Sequence, residues 1–132
     1  MSFVYIAGPY QHEGKHDYSV YEEIDRNISN ARKWAARLAT EGIPYFSPHM
    51  NSAHMEVITP SVSPGFWVGL DNTILQHAAA ILLLDGWQSS EGARHERIYA
   101  LDRRIPTFYT QGDGFDDLVG WWSQAVTSTE WH

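Results

Sequence analysis

The sequence predicts an α/β domain: an open parallel sheet of four to five strands with helices on both faces. Three observations predict it. Short apolar, β-rich runs at residues 3–7, 43–47, 80–85 and 105–109 alternate with segments of helical spacing. The run Ala80-Ile81-Leu82-Leu83-Leu84 is apolar at every position, as a strand covered on both faces requires. Glycine and proline fall between the segments, at Gly8-Pro9, Gly42, Pro48 and Asp85-Gly86. A length of 132 residues is enough for one domain, residues 1–132, around one core.

In chain order, the first strand stops at Gly8-Pro9. Residues 10–17 are polar, hold a glycine and read as a loop. Ser19-Val20-Tyr21-Glu22 has the letters of a capping box. Ile24, Ile28, Ala31, Ala35 and Leu38 then recur at helical spacing, with Gly42 as the stop. The second strand, 43–47, is closed by Pro48. Residues 49–65, with Pro60 and Pro64, show little periodicity and read as a long loop, the kind that is usually functional. A helix over 66–78 carries Leu70, Ile74 and Leu75. The third strand, 80–85, should be central. A helix over 92–103, a fourth strand with Pro106 near its start, a turn at 112–114 and a helix over 116–126 complete the chain. In such sheets ligands bind beyond the carboxyl ends of the strands, near the switch point. That rule brings Gly8, Pro9 and Tyr10 beside the 85–96 stretch, with Ser47-Pro48-His49 close to both.

Composition narrows the partners. The formal net charge is -7, unsuited to gripping nucleic acid by its phosphates, though a small anion needs only a local site. No apolar run is long enough to span a membrane. Cysteine is absent, which removes disulfide and thiolate chemistry. The first residues lead into a strand without a signal peptide's basic region, so a cytoplasmic location is expected. Six tryptophans and seven tyrosines serve core packing, a subunit interface or the stacking of a flat ligand.

The chemistry-bearing stretch is Leu82 to Ala100. Ser90 is placed to cap the helix that follows, and the N–H groups after it face the loop. Gly92 removes a side chain where an anion would need close backbone approach. Glu96 shares a helix face with Ala93 and Ala100, the small residues that pack on a sheet. It is either a partly buried ion-pair member or a carboxylate facing a cavity. Asp71, just before the central strand, is either a solvated helix carboxylate or a second acid at the site. Tyr5 is either a core tyrosine with a satisfied hydroxyl or the group that holds a carboxylate across the strand ends. His12-Glu13-Gly14-Lys15-His16 matches the zinc-protease letters HExxH, but falls in a glycine-bearing loop segment rather than a stable helix, so no metal site is expected. His49 is expected to line the pocket. No Walker A loop, GxGxxG after a strand or GxSxG elbow is present.

Tyr5-Ile6-Ala7-Gly8-Pro9, Asp71 with Leu75 before a strand, and Gly86-Trp87-x-x-Ser90-x-Gly92-Ala93-x-x-Glu96 resemble the nucleoside 2-deoxyribosyltransferase superfamily. Within it, the chain is similar to the 2′-deoxynucleoside 5′-monophosphate N-glycosidases and to a deoxyribosyltransferase-like branch of bacteria and their viruses. The resemblance covers nearly the whole chain in order of elements. It implies a flavodoxin- or Rossmann-like fold, Glu96 as nucleophile at the sugar C1′, Tyr5 orienting it, and Asp71 assisting the leaving base. It also implies that Ser90 with the following glycine takes a 5′-phosphate; together with the strand-end rule, the expected substrate-contacting set is Gly8, Pro9, Tyr10, His49, Trp87, Ser90, Gly92 and Arg94. Serine at position 90 goes with the hydrolases that take a 5′-phosphate; the transferases acting on free nucleosides have aspartate there. Two features depart from that pattern. Arg94 stands where a second glycine is common, and its expected partner is the phosphate or a carboxylate. The 49–65 insert is unlike the compact hydrolases, so base preference does not carry over.

The expectation is therefore hydrolysis of a 2′-deoxyribonucleoside 5′-monophosphate to free base and deoxyribose 5-phosphate, with no metal or redox cofactor. Base exchange between deoxynucleosides and a non-catalytic nucleotide-binding module are the alternatives. The resemblance also implies a homodimer or larger assembly, for which the tryptophans of the last helix offer an interface.

Overall fold

A computed structural model describes residues 2–10 and 19–128. Its elements are β1 (Val4–Ala7), α1 (Ser19–Thr40), β2 (Tyr45–Phe46), α2 (Pro48–Asn51), α3 (Met55–Ile58), α4 (Pro64–Leu75), β3 (Ala80–Leu83), a 3₁₀ turn (Trp87–Ser89), α5 (Glu91–Asp102), β4 (Thr107–Tyr109) and α6 (Gly114–Ser128). The four strands form one all-parallel sheet in the order β2-β1-β3-β4, flanked by helices in the Rossmann- or flavodoxin-like manner. The switch point lies between β1 and β3. The HExxH letters at 12–16 lie outside the described residues.

Strand alternation divides the core in two. Val4, Ile6, Ala80, Leu82 and Leu84 face α1 and α6, packing on Ala31, Ala35, Leu38, Leu118 and Trp122. Tyr5, Ala7, Ile81 and Leu83 face α4 and α5, packing on Leu75, Ala93 and Ala100. Both β1 and β3 are fully buried and central, β3 as expected. α1 ends in a Schellman motif: the N–H of Gly42 bonds Ala39 and that of Ile43 bonds Leu38, with Gly42 at φ +73°.

One expectation changes. Residues 49–65 are not a plain loop: they hold most of α2, all of α3 and the start of α4. Pro48 and Pro64 open helices, because a proline at the first helical turn loses no hydrogen bond. Of the α6 tryptophans, Trp122 is buried in the core and Trp121 is half-buried, its ring 5.5 Å from that of Phe108. No helix among the described residues is long and apolar enough to cross a membrane.

β1 and β3 are clamped where they leave the sheet. The Leu84 N–H bonds the Ala7 carbonyl at 2.8 Å, and a Cβ on Gly8 would meet the Leu84 Cβ at 2.9 Å. Gly114 is tighter still, since its Cβ would overlap the Tyr109 carbonyl oxygen, whereas a Cβ on Gly120 meets nothing. Gly114→Ala is therefore expected to cost about 1–3 kcal/mol or more by overpacking. Gly120→Ala, in the same helix, is expected to stabilise by about 0.5–1 kcal/mol. Urea melts of the two variants against wild type check the opposite signs.

Candidate functional site

At the carboxyl ends of β1 and β3 a cavity of about 730 Å³ opens between α4 and α5. Gly8, Tyr10, His49, Asp71, Ser90, Gly92 and Glu96 all line it, and each of these is expected from the sequence. Tyr5 does not line it but supports it from below. Alternation in β1 turns the Tyr5 ring toward α5, fully buried, and its hydroxyl donates to Oε2 of Glu96. Ala93 and Ala100 are buried on the sheet one turn either side of Glu96. Their small side chains let α5 lie close enough for that bond.

Glu96 has no cation among the described residues, so the ion-pair alternative does not hold. Burial is the main cause that pushes Glu96 up to about 8; the Tyr5 hydroxyl opposes this and the Asp71 charge adds to it. Burial likewise pushes Asp71 up to about 6. Tyr5 is raised by burial first and then by the charges of Glu96 and Asp71, so it stays a neutral donor. With these values, one proton is shared between two coupled carboxyl groups near neutral pH.

Ser90 caps α5 as expected: its Oγ accepts from the Ala93 N–H at 3.2 Å and its carbonyl accepts from Arg94 at 3.0 Å. The N–H groups of Glu91 and Gly92 meet no acceptor among the described residues, leaving them free to face an anion. Among the described residues, a Cβ on Gly92 would meet nothing within 4 Å. Its absence serves no packing need and widens the approach to the helix start.

His49 is buried at the start of α2, donates from Nε2 to the Pro9 carbonyl at 2.7 Å, and lies 5.6 Å from the Tyr10 ring. Tyr10 is held in turn by the His54 N–H on its hydroxyl and by Asn27 on its carbonyl, both at 2.8 Å. Pro9 thus contributes a carbonyl that positions His49 rather than a wall of the cavity.

Two expected residues stand elsewhere. Arg94 is exposed and its guanidinium donates to the Gln88 carbonyl at 2.7 Å, not to a carboxylate or into the cavity. The dipole does not favour a cation in that turn, and the carbonyl of the neighbouring 3₁₀ turn takes it instead. Trp87 packs into the sheet-facing core, 5.7 Å from Tyr109 and under the Arg97 guanidinium at 4.9 Å. Sequence reasoning found Asp71 but missed the rest of the α4 wall. Pro64, Trp67, Val68, Asp71 and Asn72 fall at i, i+3, i+4, i+7 and i+8, one helix face. On α5, His95, Tyr99 and Asp102 extend the same cleft. The signal was present in that second α4 stripe, beside the core stripe of Ile74 and Leu75.

The raised carboxyl groups fix a sign. Between the ordinary glutamate value near 4.5 and about 8, the folded state holds a proton on Glu96 that the unfolded chain has lost. Stability is thus greatest at the acid end of that window and falls as pH rises through it. Glu96→Gln is expected to flatten the fall and to melt higher than wild type at pH 8. Thermal melts of both proteins across pH 4.5–8 read it out.

Among curated proteins none matches the chain significantly. One family model does, described as Domain of unknown function (DUF1937), over residues 2–111. That stretch includes every strand, the carboxylates on α4 and α5, Tyr5, and the Ser90 helix start. The chain belongs to the DUF1937 family.

Proposed function

We propose that the protein hydrolyses the N-glycosidic bond of a 2′-deoxyribonucleoside 5′-monophosphate, releasing the base and deoxyribose 5-phosphate. The observation that carries this reading is the Tyr5–Glu96 hydrogen bond at the floor of a cavity whose opposite wall holds Asp71. Two carboxyl groups in one field, one oriented by a phenol, are the equipment of a retaining glycosidase. Ionised Glu96 attacks C1′ as the C–N bond breaks, forming a glycosyl-enzyme. Asp71 gives its proton to the departing base. A water then attacks C1′, losing its proton to Asp71, and frees Glu96. The reaction needs no metal or redox cofactor, and we place it in the cytoplasm. The assembly is read as a homodimer or larger. Support comes from exposed Val68 and Ile98 at the cavity rim and from exposed Phe66 and Leu101 on the same helices.

The proton distribution shapes the rate. The free site prefers the proton on Glu96, whereas attack needs it on Asp71. Burial raises Glu96 further than Asp71, so the productive arrangement is the minor one of the singly protonated form. Positive charge developing at C1′ favours the Glu96 anion and offsets this as the transition state is approached.

One observation favours base exchange on neutral deoxynucleosides. The cavity lining holds Asp71, Glu91, Glu96 and Asp102, with no lysine or arginine among the described residues. Such a wall is a poor host for a phosphate unless the α5 N-terminus outweighs it.

Two measurements test the proposal. The pH profile of kcat/KM is expected to be bell-shaped, rising near 6 and falling near 8, with both values belonging to the pair. Glu96→Gln should retain binding and lose turnover by orders of magnitude; near-normal turnover removes Glu96 from the mechanism.

Substrate class is read from Ser90→Asp. Aspartate caps a helix as well as serine does, so the fold is kept. It sets a like charge against the phosphate. The ratio of catalytic efficiencies, monophosphate over nucleoside, is expected to exceed one in wild type and to collapse in Ser90→Asp. A wild-type ratio at or below one selects the exchange reaction instead.

A further inference from the structure

The cavity has two unlike walls. α4 and α5 pack together, and both run from the carboxyl edge of the parallel sheet to its amino edge. The α5 wall is polar where it begins, with Ser90, Glu91, His95 and Glu96. The α4 wall begins apolar, with Pro64, Trp67 and Val68, and turns polar at Asp71 and Asn72. Trp67 is half-buried, so a ligand in the cavity can touch it, and it is the one tryptophan among the described lining residues. The Phe66 ring packs against it, at 84° to the indole with 4.9 Å between centroids.

The reaction proposed above sets a ligand across these two walls. With the phosphate at the α5 start and C1′ at Glu96, the sugar lies along α5, over a helix rise of roughly 6–9 Å from Gly92 and Ser90. Asp71 gives its proton to the base, so the base crosses from C1′ toward α4. Trp67 precedes Asp71 by one turn on the same face, their Cβ atoms about 5–6 Å apart, and helical side chains lean toward the helix start. A base within proton reach of Asp71 therefore lies beside the indole. Every nucleobase has a π-face, whatever its edge carries, and an aromatic side chain holds it by that face. We infer that Trp67 is the platform on which the nucleobase stacks, and that a purine, with its larger face, is held better than a pyrimidine. This rests on the reading given under Proposed function.

The test uses Glu96→Gln protein, expected to bind without turnover, titrated calorimetrically with dAMP, dCMP and the base-less analogue 1,2-dideoxyribose 5-phosphate. dAMP is expected to bind about ten-fold or more tighter than the base-less phosphate, and tighter than dCMP. Adding Trp67→Leu keeps an apolar side chain on the wall and removes the ring. It should weaken dAMP about ten-fold and dCMP less, and leave the base-less phosphate within about two-fold. Trp67→Phe in its place should restore most of the loss. Unchanged dAMP binding in the Trp67→Leu protein, or equal binding by the Leu and Phe variants, overturns the inference and leaves the glycosidase reading standing. An equal loss for all three ligands overturns it too, since the indole is then not what meets the base. dCMP bound as tightly as dAMP overturns the purine preference. Binding by none of the nucleotides defeats the nucleotide reading itself, and the inference falls with it.

Discussion

A phenol in the middle of a buried strand must find an acceptor, and much of this structure follows from how Tyr5 finds one. β1 is covered on both faces and flanked by β2 and β3, so no solvent reaches the hydroxyl. An unpaired buried hydroxyl is destabilising, and the sheet's own carbonyls are taken by neighbouring strands. Glu96 supplies the acceptor from α5. The bond constrains how α5 turns about its axis and how close it lies. Ala93 and Ala100 meet that constraint by occupying little space on the sheet. One contact thus satisfies the core and aims a carboxylate at the cavity floor.

That arrangement is not an optimum for stability. A carboxylate held for structure alone is usually paired with a cation, which depresses its pKa. Here Glu96 and Asp71 are both raised, burial being the first cause in each case. The folded chain keeps two acids on one cavity without a neutralising base among the described residues. Departures of this kind from the rules of a good core concentrate where a protein does chemistry. Geometry points the same way: the two acids line one cavity, and one of them is oriented.

The fold was legible because its signals are redundant. The run at 80–84 reads as a central strand, helical spacing marks α1, and Gly42 ends it with the hydrogen bonds that a left-handed glycine permits. The errors came from single residues with two meanings. Pro48 and Pro64 break one element and start the next, and only the structure says which side of them is helical. The site was legible where backbone chemistry dictates it, at Ser90, Gly92 and the Glu96 stripe. It was not legible along α4, where the cavity stripe and the core stripe are both largely apolar and periodicity cannot rank them. Arg94 and Trp87 were misplaced for a related reason. Both stand beside the loop in sequence, but one is drawn outward by a carbonyl and the other inward by Tyr109.

The two cavity-edge glycines separate packing from ligand approach. Gly8 is required by the protein, since a Cβ there strikes Leu84; Gly92 is not, since a Cβ there meets nothing among the described residues. The open space at Gly92 lies beside free N–H groups at a helix start, where the partial charge is about +0.5. Against it stand the acids of the lining. Their count overstates the charge, because burial raises Glu96 well above the usual glutamate value and favours its neutral form. A phosphate dianion entering beside them would raise both carboxyl groups further by like-charge repulsion. Phosphate binding and proton retention would then reinforce each other. On the reaction proposed above, the acid that protonates the base would be held protonated by the same charge that anchors the sugar, which would give an acid-lined cavity a reason to accept an anion.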